Sequence, residues 1–322
     1  MDRHGISVLD SRVGGTPVLT QNGNRWVGPG HNAVVTDFSG QAWIVYHAVD
    51  RDRPYYAGDV GYTKRPGMID PLDWRDGWPV VRGGRGPSDT PMPGPVAQPG
   101  ERPVYRPRFV HAPKSGRHHP RLSDGFNGMA LSSQWSWVRP PDPSTYSVAD
   151  GQLSWQTQAG DLHPPATPLA SVLTEPAPTG DYVVQTKVAV STPASGCCQN
   201  YVQGGLVIYG DDGNYVKLTS VSIWDTRQTE FGKEISPVPP GYPTYGNSVV
   251  GPVGDWTYLQ IVHHRVDGAA AYTAYTSLDG RHWDAGATWT HELGRHPKIG
   301  LVSMGGAGFS SRFAYVHVSR LR

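Results

Sequence analysis

Several side chains in this 322-residue chain are of types that could do chemistry. His31 and Asn32 follow Gly28-Pro29-Gly30, a tripeptide that turns the backbone tightly. That places the imidazole at the head of a strand, where it can face a cavity. Asp37, Asp70 and Asp73 are read as turn and strand-end residues rather than as acids or bases. Glu230 and Glu234 lie four apart, which puts both carboxylates on one face of a regular strand. Phe231-Gly232-Lys233 supplies no third acid between them and Lys233 can neutralise them, so a surface or interface role is favoured. His111, His118 and His119 have a spacing that fits no recognised metal site and are read as solvated. Cys197 and Cys198 are the only cysteines. Adjacent cysteines seldom bridge because the peptide between them must distort, so no disulfide framework is expected.

The elements that position these groups are short strands. Asn32 to Asp37 and Ala42 to Ala48 alternate in polarity around the turn Phe38-Ser39-Gly40-Gln41. Alternation sets Trp43, Val45 and His47 on one face and Ile44 with Tyr46 on the other. A third run, Gly67 to Pro71, follows a loop rich in Pro, Tyr and Asp, and the three make most of one propeller blade. Asp73-Trp74 and Asp76-Gly77-Trp78 read as a turn pinned by two indoles, and His47 as a packed, hydrogen-bonded histidine. Ile6 to Leu9 and Pro17 to Leu19 read as pieces of strand without partners. A lone blade leaves Val34, Trp43, Ile44, Val45, Tyr46, Met68 and Ile69 in need of cover from a second domain or another chain.

From Gly83 to about Pro120 the composition shifts to Pro, Gly and Arg, an extended linker of polyproline character. Beyond Leu122 short strands recur between explicit turns: Tyr146 to Val148, Gln152 to Gln156, Tyr182 to Val190, Gly204 to Tyr209, Tyr215 to Ser222, Thr257 to Arg265, Ala270 to Ser277, Lys298 to Ser303 and Ser311 to Leu321. No helix-length periodicity competes. The expected fold is all-β: a single-blade, partial propeller over residues 1–90, a linker over 91–121, and an antiparallel two-sheet sandwich of jelly-roll type over 122–322.

The runs GPGHN, WIVYHA and KRPGMIDPLDWRDGWP, in that order, resemble the last blade of a glycoside hydrolase family 43 propeller, the family of arabinanases, arabinofuranosidases and xylosidases. That resemblance covers roughly residues 10 to 90. LSDGFNG, LSSQWSWVRPP, GGLVIYGDDGNYVKL and TRQTEFGKE resemble the concanavalin A-like domain that follows such propellers, over about residues 122 to 322. The resemblance implies an inverting hydrolase of arabinose- or xylose-containing polysaccharide. It also implies that His31, with Asn32, lies in the substrate cavity, near a calcium ion in some members. Tyr201, Tyr209, Trp224 and Arg227 are candidates for a sugar platform on the concave face of the sandwich, the alternative being core and rim.

Family 43 chemistry needs two Asp and one Glu from blades that precede GPGH. Before Asp37 this chain offers only Asp2 and Asp10, and no Glu occurs before Glu101. The catalytic carboxylates are therefore expected to be absent and the chain inactive alone, its blade completed by missing blades or another chain. Lys and Arg number 28 against 27 for Asp and Glu, so no basic surplus points to nucleic acid or an anionic membrane. No window has the apolar length of a membrane helix. The resemblance implies an extracellular protein, yet MDRHGISVLDSRVGG has no apolar signal core, and Met1 is read as an internal or mis-assigned start. Two readings stay open, the C-terminal part of a hydrolase and a non-catalytic carbohydrate-binding or structural sandwich.

Overall fold

The computed structural model describes residues 15–56, 59–163, 168–194 and 197–322. The first strands are β1 (Trp26–Thr36), β2 (Ala42–Asp50), the short pair β3 (Tyr55–Tyr56) and β4 (Asp59–Thr63), β5 (Gly67–Arg75) and β6 (Trp78–Val81). Strands β1, β2, β5 and β6 form one antiparallel four-stranded sheet in that order. The sequence reading found three of its strands. The fourth arises because Asp76-Gly77 is a two-residue hairpin turn, with φ of 51° and 77°, that returns the chain as Trp78 opposite Arg75. Pro17 to Leu19 is not strand. It is irregular chain whose Val18 and Leu19 pack beneath the sheet beside Ile44, Tyr46, Ala48, Leu72 and Val81. The expected piece Ile6 to Leu9 lies outside the described residues.

Only part of the blade is covered. Trp43, Ile44 and Tyr46 are buried, whereas Val34, Val35, Val45, Ile69 and Phe38 are exposed, and among the described residues β1 pairs on one side only. At the Trp43 end of the face that carries Val45 and Ile69, the Pro-rich segment lies against the sheet instead of running free in solvent. Val96 is buried, its amide donates to Asp37, the Tyr105 ring sits 6.0 Å from that of Trp43, and Arg75 donates to the Val110 carbonyl. Polyproline backbone has no internal hydrogen bonds, so its amides and carbonyls are available to such a docking surface. Past it, β7 (Ser115–His118) joins the sandwich by pairing with its last strand, so His118 lies on a strand next to His317 rather than in a solvated linker.

The sandwich strands are β8 (Ser136–Val138), β9 (Tyr146–Ala149), β10 (Gln152–Gln156), β11 (Val172–Pro176), β12 (Tyr182–Val190), β13 (Gln199–Asp211), β14 (Asn214–Trp224), β15 (Thr226–Glu234), β16 (Tyr245–Ser248), β17 (Thr257–Val266), β18 (Ala269–Ser277), β19 (Asp284–Thr290), β20 (Lys298–Met304) and β21 (Ser310–Leu321). One sheet runs β19-β18-β17-β12-β21-β10-β9 and the other β16-β15-β14-β13-β20-β11-β8. The apolar residues at alternate positions, among them Leu206, Ile208, Leu218, Phe231, Ile261, Leu301 and Phe313, form one core between the sheets. The blade meets the sandwich through Arg51, which donates to Thr290, through Tyr55 edge-on to Tyr242 at 4.9 Å, and through the bridge of Asn22 to Thr288.

Candidate functional site

The GPGHN segment is irregular for a physical reason. Its pairing with β2 slips twice, between Val27 and Gly30 and between Gly30 and Ala33. Gly28 and His31 both take positive φ, 56° and 51°. A bulge of this kind re-aims a side chain, and here it sets the exposed His31 ring edge-on to His47, 5.5 Å between centroids. Asn32 beside it is exposed. His47 is not the hydrogen-bonded histidine that was expected, because its Nδ1 is buried without a partner. The pair can offer imidazole nitrogens and one amide to a polar ligand.

The blade aspartates are committed to structure. Asp37 accepts from the amides of Ser39, Gln41 and Val96, the Ser39 hydroxyl and Trp43 Nε1. Burial works against ionisation there, but the bonds from Ser39, Val96 and Trp43 prevail and hold the carboxyl well below its usual range. Asp70 is fully buried in the middle of β5 rather than at a strand end, and accepts from Tyr46 Oη at 2.6 Å and the Ser88 amide at 3.0 Å. Asp73, also buried in β5, accepts from Tyr105 Oη at 2.6 Å.

On the sandwich, Glu230 and Glu234 do share a face of β15, but they are buried and not on the surface. Lys217 Nζ lies 3.3 Å from Glu230 Oε1 and donates to Gln203 at 2.6 Å, while Tyr245 donates to the same carboxylate. Burial and then the Glu230 charge push the Tyr245 hydroxyl far above its usual range. Glu234 is held 2.6 Å from His163 Nδ1. Neither carboxylate is open to a substrate.

The four proposed platform residues are not brought together. Tyr209 is buried in a second apolar cluster with Leu162, Tyr215 and Val302, its hydroxyl donated to Asp212. Arg227 is buried and alternates to the opposite face of β15 from Glu230, reaching the Gly254 carbonyl. Only Tyr201 and Trp224 are exposed. Just before Tyr201, where no bridge was expected, Cys197 and Cys198 form a disulfide across a cis peptide that brings their Cα atoms to 2.9 Å. A doublet of cysteines was the only signal for it in the sequence.

With this geometry in hand, comparison with known families is decisive. The description "Glycosyl hydrolases family 43" matches residues 8–79, and "Beta xylosidase C-terminal Concanavalin A-like domain" matches residues 123–292, more than half of the chain. The chain belongs to this β-xylosidase C-terminal domain family. Among solved structures, a variant of the family 43 protein BlXynB from Bacillus licheniformis aligns at 20% identity with a TM-score of 0.50, covering 94% of this chain and 56% of that one. The xylan β-1,4-xylosidase from Bacillus halodurans C-125 aligns at 19% identity and a TM-score of 0.49 over 94% and 56% of the two chains. The present chain thus spans little more than half the length of these proteins, and at such identity the likeness to BlXynB is one of fold. A search of curated proteins gives no match.

The family 43 blade and its concanavalin A-like partner therefore account for the two sheet systems. The calcium ion that the family resemblance implies belongs to an intact propeller, and His31 with Asn32 would supply at most part of its shell. Calcium takes six to eight oxygen ligands, and the residues at this point offer two imidazoles and one amide oxygen. Among the described residues no group of three or more His, Cys, Asp or Glu could hold a metal.

Proposed function

We propose that this chain is the C-terminal portion of a family 43-type glycoside hydrolase acting on xylose- or arabinose-containing polysaccharide, with the catalytic carboxylates contributed by blades outside it. The observation that carries the reading is the half-covered blade: Val35, Val45 and Ile69 are exposed beside an edge strand, the surface left when a propeller sheet lacks its neighbour. Inverting hydrolysis requires one carboxylic acid and one carboxylate about 6.5–9.5 Å apart with room for water. Asp37, Asp70, Asp73, Glu230 and Glu234 are each tied to other protein groups and do not meet that need. His31 and Asn32 would then lie at the mouth of the completed cavity and hydrogen-bond sugar hydroxyls, with no acid-base step of their own. Export to an oxidising compartment is supported by the Cys197–Cys198 bridge.

The test is to join this chain to the preceding blades of a family 43 propeller. The joined protein should turn over aryl β-xylosides or aryl α-arabinofuranosides, and a joined, folded protein inert on both and on xylan and arabinan would refute the proposal. The second reading, a non-catalytic carbohydrate-binding module, is favoured by one observation: Tyr201 and Trp224 are large, exposed and outside the core.

A further inference from the structure

The end of the sandwich that carries the disulfide is built unlike the rest of its surface. Cys197 and Cys198 are both exposed, and β13 begins immediately after them. Gln199 is paired with Trp224, the last residue of β14, and Asn200 with Ile223. Tyr201 is 53% exposed and Trp224 59%, so two large rings stand in solvent within a few residues of the bridge. Both have left-handed backbone, φ 66° and 54°, a conformation uncommon for bulky side chains. Outliers of this sort persist only where surrounding structure dictates them, and they cluster where ligands are held.

The surroundings do dictate them. The Trp224 amide donates to Asn200 Oδ1 at 2.8 Å, and Gln203 Nε2 donates to the Tyr201 carbonyl at 3.0 Å. Gly305 passes so close to that carbonyl that no side chain could replace its hydrogen. These rings therefore ride on fixed strand ends and not on a fraying loop. The blade contacts the sandwich elsewhere: Tyr242, which meets Tyr55, follows the far end of β15. Among the described residues, the hydrogen bonds and ring contacts from the blade reach Gly286, Thr288, Thr290 and Tyr242 of the sandwich.

A sugar ring presents C–H groups on its faces and hydroxyls around its rim. Aromatic faces and a polarisable disulfide suit the first, and side-chain amides and carboxylates suit the second. Asn200 uses its oxygen on Trp224 and keeps its amide donors for a ligand, and exposed Asp225 adds an acceptor. No Lys or Arg stands among residues 197–201 and 223–225, which disfavours phosphate or uronate. We propose that Cys197–Cys198, Tyr201 and Trp224 form a stacking platform for a neutral polysaccharide chain, a site separate from His31 and Asn32. This rests on the glycan-processing reading above, with its own separate test.

Affinity electrophoresis of the whole chain in gels containing soluble arabinoxylan or linear arabinan, with dextran as control, reads the site directly. Retardation by a pentosan is expected. Trp224→Ala and Tyr201→Ala should each weaken it about tenfold, the scale of one lost stacking contact, and Trp224→Phe should retain most of it. The double change Cys197→Ser with Cys198→Ser should weaken it severalfold, and unchanged thermal midpoints would establish that the variants fold. No retardation by either pentosan, or retardation equal in wild type and in both alanine variants, overturns the platform. A joined, active hydrolase without retardation sinks the platform alone, whereas a retarded chain that stays inert when joined sinks only the hydrolase reading.

Discussion

Asp70 is a structural carboxylate set in the middle of β5. It is fully buried, takes a bond from Tyr46 and lies 3.8 Å from Arg82 Nε. Burial first, and then the Asp70 hydrogen bond, raise the Tyr46 hydroxyl far above its usual range. Asp70→Ala would strand Tyr46, the Ser88 amide and Arg82, and should cost about 3 kcal/mol in urea unfolding, the scale for one broken partner of a buried pair. A loss below about 1 kcal/mol would mean that water replaces the carboxylate, as it does at exposed pairs. Glu175 offers a pH test. Burial pushes its carboxyl from 4.5 up to about 8, opposed by a bond from Gln134 and aided by the charge of Asp124. The folded protein then keeps a proton that the unfolded chain releases, so stability falls as pH rises from about 4.5 to about 8. Glu175→Gln should flatten that slope and raise the thermal midpoint at pH 8 but not at pH 4. Equal midpoint changes at both values would contradict the assignment.

Among the elements, the blade strands should differ in protection. β2 is paired on both sides and β1 on one, with Asn32 to Thr36 exposed. Hydrogen exchange should therefore be fast at the unpaired amides of β1 and slow in β2 and β5. Uniformly strong protection across residues 26–75 of the monomer would remove the case for an open edge. Tyr105→Ala should release the Pro-rich strap from Asp73 and Trp43 and speed trypsin cleavage after the exposed Arg108. An unchanged digestion rate would mean that the strap is held by its other contacts. The sequence made some of these elements legible. β12 and β17 alternate in polarity well enough to mark a buried face, although β12 is buried along most of its length, and the turn at Asp37 to Gln41 carries its own chemistry. β15 was harder, since Arg227, Thr229 and Lys233 alternate with Gln228, Glu230 and Glu234 and leave little hydrophobic contrast. The docking of the strap was not legible at all. It depends on backbone groups of residues such as Val96 and Val110 meeting side chains from distant strands, and no local pattern encodes that. The same holds for the platform candidates: strand parity separates Arg227 from Glu230, and an exposed ring cannot be told from a buried one until Tyr209 is seen within its cluster.

At the scale of the molecule, the sandwich has a complete core and the blade does not. Among the described residues, twenty-nine buried ones make the main cluster between the two sandwich sheets, against five beneath the blade. Stability on that account resides in the sandwich, with the blade attached through Arg51, Tyr55 and Asn22 and carrying an unmatched apolar face. The most direct check on the central claim is a turnover assay of the purified chain by itself on aryl β-xylosides, aryl α-arabinofuranosides, xylan and arabinan. No activity above the blank is expected, because Asp37, Asp50, Asp70, Asp73, Glu230 and Glu234 are each already engaged by other groups of the protein. Turnover by the chain unaided, abolished by changing one of Asp37, Asp70 or Asp73 to Asn while the fold is kept, would contradict it.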